Sequence, residues 1–174
     1  MNNSSMKLRS PSLNDLDFIL TQEHRAEFKT LINRWSRQEH EHQLSNPDKQ
    51  YWIAETDAGE AIGYAILSGL QSPHNNLCLT RIVIAQPGQG YGKVVLKQII
   101  QKAFEVYQAH RLWLDVVEHN LRAQQVYRSL GFQPEGVLRE AHKLDDRYVS
   151  LIIMSILEQD YRQLPLASSP NHQD

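Results

Sequence analysis

The chain has 174 residues, 41% of them hydrophobic and 22% charged, ordinary values for a folded domain with a sizeable core. Its 18 Lys and Arg against 20 Asp and Glu give a net charge of −2 and a pI near 6.4, which argues against a protein built mainly to hold nucleic acid. Cys78 is the single cysteine and cannot close an internal disulfide, Met1–Ser10 has no apolar signal core, and no run approaches the roughly 18 apolar residues of a membrane span, so the expectation is a cytoplasmic protein away from membranes.

Residues 1–5 are polar and read as a flexible N-terminus. Met6, Leu8 and Ser10 alternate with Lys7 and Arg9, predicting a strand over Met6–Ser10. Ser12 and Asp15 form an approximate capping box ahead of Leu13, Leu16, Ile19 and Leu20 at helical spacing. Phe28, Leu31, Ile32 and Trp35 make a second helical stripe, followed by a polar helix or loop over Trp35–Asn46. His40-Glu41-His42 in that segment suggests metal ligation, but residues i and i+2 do not share a helical face and no third ligand is evident, so no metal is expected.

Tyr51–Glu55 and Ala61–Leu67 are apolar runs joined by Asp-Ala-Gly-Glu, a hairpin signal. A loop over Gly69–Asn76 leads to a strand at Leu77–Ala85. A helix is predicted from Gly90 to about Tyr107, with Val94, Val95, Ile99, Ala103, Phe104 and Tyr107 on one face. After a strand at Leu112–Val117, Asn120 caps a helix whose face is Ala123, Val126, Tyr127 and Leu130, with Gly131 at the C′ position. Phe132–His142 and Arg147–Leu157 are the last strands, and residues 159–174 read as a tail. The order β αα βββ α β α ββ shows no repeat, and implies one α/β domain over residues 6–158 with a mixed, mostly antiparallel sheet and helices on both faces.

The most informative stretch is Leu77–Phe104. An apolar strand runs into Gly88, Gly90 and Gly92, and a helix follows at once. A turn of this kind gathers backbone N–H groups and the positive end of a helix dipole at one place, which suits a phosphate. Counting excludes two nucleotide motifs. A Walker A would need Gly at Pro87 and Ser or Thr at Val94. A Rossmann fingerprint fails at Lys93 or, one step on, at Val95.

The pattern Gln86-Pro87-Gly88-Gln89-Gly90-Tyr91-Gly92-Lys93 after a strand resembles motif A of the GNAT superfamily of acetyl-CoA-dependent N-acetyltransferases, with Gly90 and Gly92 on the two glycine positions and Pro87 where that motif carries Arg or Gln. Asn120, Arg122-Ala123, Tyr127 and Leu130-Gly131-Phe132 resemble its motif B, and residues 135–157 resemble the closing strands of ribosomal-protein N-acetyltransferase-like members. The resemblance implies transfer of an acetyl group from acetyl-CoA to a primary amine, a protein N-terminus or a small amine, by direct attack. The alternative is a module of the same fold that binds or senses acyl-CoA with little catalysis. The resemblance implies pyrophosphate binding by backbone N–H groups of Gln89, Gly90, Tyr91, Gly92 and Lys93. It places the pantetheine arm beside the backbone of Ile82, Val83 and Ile84 and against Asn120. Tyr127 is then the general acid, since a phenol stays protonated at neutral pH. Asp115 is the candidate base, directly or through water, with Glu118 and His119 as competitors, and Arg122 and Arg128 either reach a CoA phosphate or are solvated surface charges. The His40-Glu41-His42 segment borders the acceptor cleft. Arg81 either faces the acceptor or pairs with an acid such as Asp115. The expected assembly is a monomer or homodimer.

Overall fold

Residues 6–166 are described by the computed structural model; the expected flexible N-terminus at 1–5 and residues 167–174 of the expected tail lie outside the described residues. Among the described residues, seven strands form one sheet in the order β1-β2-β3-β4-β5-β7-β6. They are β1 (Met6–Arg9), β2 (Lys49–Thr56), β3 (Ala61–Ser68), β4 (Asn76–Ile84), β5 (Arg111–Val117), β6 (Gln133–Leu144) and β7 (Arg147–Leu157). Every neighbouring pair is antiparallel except β4 and β5.

Helices cover both faces. On one side α3 (Tyr91–Gln101), α4 (Leu121–Ser129) and a short α5 (Glu158–Tyr161) pack on a core containing Leu67, Leu79, Leu112, Leu114 and Met154. Each fully buried aliphatic side chain stabilises by about 1.5–3 kcal/mol, so Val95, Leu96, Ile99 and Ile100 together contribute strongly to holding α3 on the sheet. On the other side α1 (Asp15–Glu23) sets Leu16 and Ile19 against Tyr51, Ile53, Tyr64, Ile66 and Val83, with α2 (Arg37–Leu44) alongside.

Two irregularities of β4 shape the molecule. Between Ile66 and Leu67 of β3 the partner in β4 jumps from Arg81 to Leu79, leaving Thr80 as an extra residue. A one-residue bulge reverses the side-chain alternation beyond it. Leu77 and Leu79 therefore join the α3 core, as Ile82 and Ile84 do past the bulge, while Val83 turns to α1. Secondly, β4 pairs with β5 only from Asn76 to Cys78, opposite Arg111 to Trp113. From there the two strands part, and β5 continues paired to β7 alone.

Three expectations need correction. The Phe28–Trp35 stripe is not a helix. A 3-10 turn covers Ala26–Phe28, and the second helix is Arg37–Leu44. Ser36 caps it in a reciprocal box, its Oγ accepting from the Glu39 N–H at 3.2 Å and its own N–H donating to Glu39 Oε2 at 2.6 Å. The Trp35 N–H and the Asn33 carbonyl are bound instead by buried charged side chains of α1 and β4. The predicted helix reaching Tyr107 is α-helical to Gln101 and then a wider π turn over Lys102–Val106. The tail assigned from residue 159 begins as structure. Tyr161 of α5 is buried, stacks on Phe104 at 4.6 Å and donates to Glu105 at 2.5 Å, with Leu164 and Leu166 packed on the same core. Four helical residues are too few to show a period.

Candidate active site

The opening between β4 and β5 is the centre of the site. At the end of β4 the chain enters the glycine turn, where Gly88 and Gly90 have φ of +94° and +81°, a region open to glycine and costly for other residues. A Cβ at either position would meet nothing within 4 Å. The turn is thus a bare backbone shelf, and the N-terminus of α3 behind it has no side-chain cap. The Lys93 N–H is taken by the Gly90 carbonyl at 3.1 Å; the remaining N–H groups of the turn and the helix dipole there favour an anion.

Two cavities meet at the opening. The larger, about 620 Å³, runs along the shelf past Ile82, Ile84, Pro87, Gly88, Gly90, Tyr91, Gly92 and Lys93 to Arg122, Asn120 and Tyr127. The smaller, about 300 Å³, lies between residues 28–35 and the β6–β7 hairpin, and its wall includes Ile32, Asn33, Trp35, Arg81, Asp115, Val117, His142 and Leu151. Phe28, Leu31, Ile82, Asn120 and Tyr127 line both.

Tyr127 comes from α4, whose N-terminus is capped by Asn120 Oδ1 accepting from the Ala123 N–H at 3.2 Å. The tyrosine is 8% exposed, with its ring edge-on to Phe132 at 5.7 Å. Its hydroxyl makes no hydrogen bond among the described residues. Burial, reinforced by the nearby Asp115 charge, raises its pKa above the ordinary phenol value, so it holds its proton. Asp115 of β5 lines the smaller cavity and, though exposed to water there, is surrounded by protein on its other sides. Burial raises its pKa, against a smaller opposing effect of His142.

The other expected residues are distributed as follows. Ile82 and Ile84 line the larger cavity, while the Val83 side chain is packed on the α1 side, its carbonyl lies against Gly63 of β3, and the residue lines neither cavity. Gln89 lies on the shelf turn outside both cavity walls, and Gln86 is tied to Glu60 at 3.1 Å. Arg122 reaches the larger cavity; Arg128 does not. Glu118 is unsuited as a base, because its Oε1 accepts the Ser150 N–H at 3.0 Å and it lines neither cavity. His119 is exposed and also outside both. Arg81 pairs with Glu23 of α1 rather than with Asp115. His142, Phe28 and Trp35 belong to the wall without any motif to announce them; the Ala141–Arg147 hairpin carries no recognisable spacing.

Comparison with known proteins gives a consistent picture. The family described as "Acetyltransferase (GNAT) family" matches residues 17–132. A spermidine N(1)-acetyltransferase from Vibrio cholerae is 23% identical over 171 residues, 91% of this chain and 96% of the relative. A spermine/spermidine N(1)-acetyltransferase from Bacillus subtilis is 33% identical over 88 residues, 46% of this chain; the match spans 57% of that relative's length. A putative ribosomal protein bS18-alanine N-acetyltransferase, also from Bacillus subtilis, is 28% identical over 149 residues, 84% of this chain and 92% of the relative. Among solved structures, the Vibrio cholerae spermidine N-acetyltransferase in complex with CoA and spermine superposes with a TM-score of 0.83 at 24% identity, covering 92% of this chain and 99% of that one.

Proposed function

Because the chain belongs to the acetyltransferase (GNAT) family, as an N-acetyltransferase with acetyl-CoA as co-substrate, we propose that its acceptor is a polyamine such as spermidine or spermine. The observation that carries this is the near full-length similarity to a spermidine N-acetyltransferase. The smaller cavity supports it chemically. Its walls combine apolar surface from Phe28, Leu31, Ile32 and Leu151 with the carboxylate of Asp115. The one Arg on that wall, Arg81, is neutralised by Glu23. A polyamine is a series of ammonium groups on methylene chains, and such a wall offers apolar surface to the methylenes and a carboxylate to one ammonium.

The arrangement divides the work of acetyl transfer. The shelf from Gly88 to Lys93 and the α3 N-terminus hold the pyrophosphate. The unpaired edge of β4 at Ile82–Ile84 receives the pantetheine arm and brings the thioester to Ile82, Asn120 and Tyr127, where the two cavities join. Asp115 pairs with the ammonium of the acceptor and draws off its proton, directly or through water. The freed amine attacks the thioester carbon, the carbon–sulfur bond breaks, and Tyr127 gives its proton to the departing sulfur. The second amine proton restores Tyr127.

The test is release of CoA thiol from acetyl-CoA over a panel of spermidine, spermine, shorter diamines and peptides with free N-terminal alanine, with products identified by mass. Turnover on polyamines above the rest is expected. The similarity to the putative bS18-alanine acetyltransferase favours a second reading, a protein N-terminus; turnover confined to the alanine peptides would establish it and overturn the first.

A further inference from the structure

A cluster of buried charge lies behind the acceptor-side cavity, and the chemistry above does not use it. Glu23, the last residue of α1, and His40 of α2 are fully buried, and Arg81 of β4 is 7% exposed. Arg81 Nη1 donates to Glu23 Oε1 at 2.5 Å, and Nη2 donates to the Asn33 carbonyl. The same carboxylate accepts the Tyr64 hydroxyl at 2.5 Å through Oε1 and the Trp35 N–H at 3.2 Å through Oε2. His40 Nε2 stands 3.2 Å from Glu23 Oε1, near enough for an ion pair though off the hydrogen-bond direction. Its Nδ1 is 3.2 Å from the Tyr51 hydroxyl. The Trp35 ring covers the other side of Arg81, with Cζ 4.3 Å from its centroid, and lies 5.4 Å from the His40 ring.

Burying this much charge is expensive, and well-packed apolar side chains often stabilise a fold as well or better. What apolar side chains cannot supply is hydrogen-bond partners for the N–H and C=O groups of an irregular length of backbone. Residues 29–36 lie between the 3-10 turn and α2 and belong to no helix or strand. Their attachments to the cluster are the Asn33 carbonyl, the Trp35 N–H and the Trp35 ring. The same segment supplies Leu31, Ile32, Asn33 and Trp35 to the acceptor-side wall. Arg81 precedes Ile82, which lines both cavities, so one residue ties that wall to the strand beside the thioester.

The geometry points to Glu23 and Arg81 as positioning residues that hold segment 29–36 against β4 and thereby set affinity for the acceptor. This inference rests on the reading that the smaller cavity takes the acceptor amine. It requires the guanidinium in particular. One nitrogen reaches Glu23, another reaches Asn33, and the planar face stacks on Trp35, whereas a lysine ammonium is a single point charge.

Arg81→Lys keeps the charge that Glu23 needs and loses the fork. Its acceptor KM should rise about tenfold while KM for acetyl-CoA stays within about twofold. Arg81→Met and Glu23→Gln should move the same ratio further. Equal changes in both KM values, or no change, would overturn the inference. A wild-type enzyme that ignores polyamines defeats only the choice of acceptor, and the ratio is then read with whichever panel amine is turned over. Should none of the variants fold, hydrogen exchange on the wild-type protein decides: acceptor binding in the presence of CoA must slow exchange of the Trp35 amide, and an unchanged rate refutes the role.

Discussion

Arg81 and Glu23 stand 58 residues apart in the chain and are joined by a 2.5 Å ion pair inside the protein. Burial by itself pushes the Glu23 carboxyl up, but His40, Arg81 and Tyr64 outweigh it and bring its pKa down to about 2 from 4.5. A carboxylate depressed on folding stabilises the native state above its unfolded value, and that contribution is lost as pH falls through the window from 4.5 to about 2. Glu23→Gln should cost about 3–5 kcal/mol at pH 7, because it leaves Arg81 buried without a counter-ion. Urea unfolding at pH 7, 4 and 3 checks this. The gap between wild type and variant should narrow as pH drops, and a gap independent of pH would refute the assignment.

Tyr127→Phe removes a hydroxyl that no protein group engages among the described residues, so little stability should be lost. Loss of a general acid lowers kcat by about 10²–10⁴-fold, with KM for acetyl-CoA nearly unchanged. Burial and then Asp115 raise the Tyr127 pKa, so the wild-type rate should show no alkaline fall from this residue between about pH 7 and 9. Steady-state thiol release over that range is the measurement; a variant within about threefold of wild type in kcat would exclude proton donation by Tyr127.

Asp115→Asn should move stability and activity in opposite directions. Burial raises the Asp115 pKa above 3.8, partly countered by His142. Between the unfolded and the raised folded value the native state binds more protons than the unfolded chain, so stability falls as pH rises through that interval. At neutral pH the ionised group is therefore a cost that asparagine removes, and Tm should rise. The acceptor ammonium loses its partner, and kcat/KM for a polyamine should drop about tenfold or more. Calorimetry and kinetics on one preparation read both. A fall in Tm together with activity would mean that Asp115 serves the fold.

What could be read in the sequence was local. The β2–β3 hairpin, the strand ending at Ile84, and the α4 helix with Asn120 at its cap and Gly131 beyond its end are all written in periodicity and turn chemistry within about a dozen residues. The glycine turn could be placed because positive φ demands a residue type. The acceptor wall could not. Its apolar stripe at Phe28, Leu31, Ile32 and Trp35 has helical spacing, yet Glu23 and Arg81 bind the backbone of Asn33 and Trp35, and such pairings leave no period. The Thr80 bulge was hidden for a related reason: one extra residue in a β-rich run alters no composition, but it decides whether Arg81 faces Asp115 or Glu23. Glu118 competes with Asp115 in the sequence alone, because nothing there shows that the Ser150 N–H of β7 holds its carboxylate.

Gly90→Ala separates backbone strain from obstruction of the phosphate shelf. With φ at +81° an alanine there is strained by about 1–2 kcal/mol. Its Cβ meets nothing within 4 Å in the free protein, so no clash adds to the strain. That Cβ would stand where the pyrophosphate is proposed to rest, and KM for acetyl-CoA should rise about tenfold or more while acceptor KM holds. Gly59, between β2 and β3, supplies the control. Its φ is also +81° and its Cβ also meets nothing within 4 Å, but it lines neither cavity. Gly59→Ala should therefore lose similar stability in chemical denaturation and leave both KM values at the wild-type level. If the two variants behave alike toward acetyl-CoA, the glycine turn acts only as a turn.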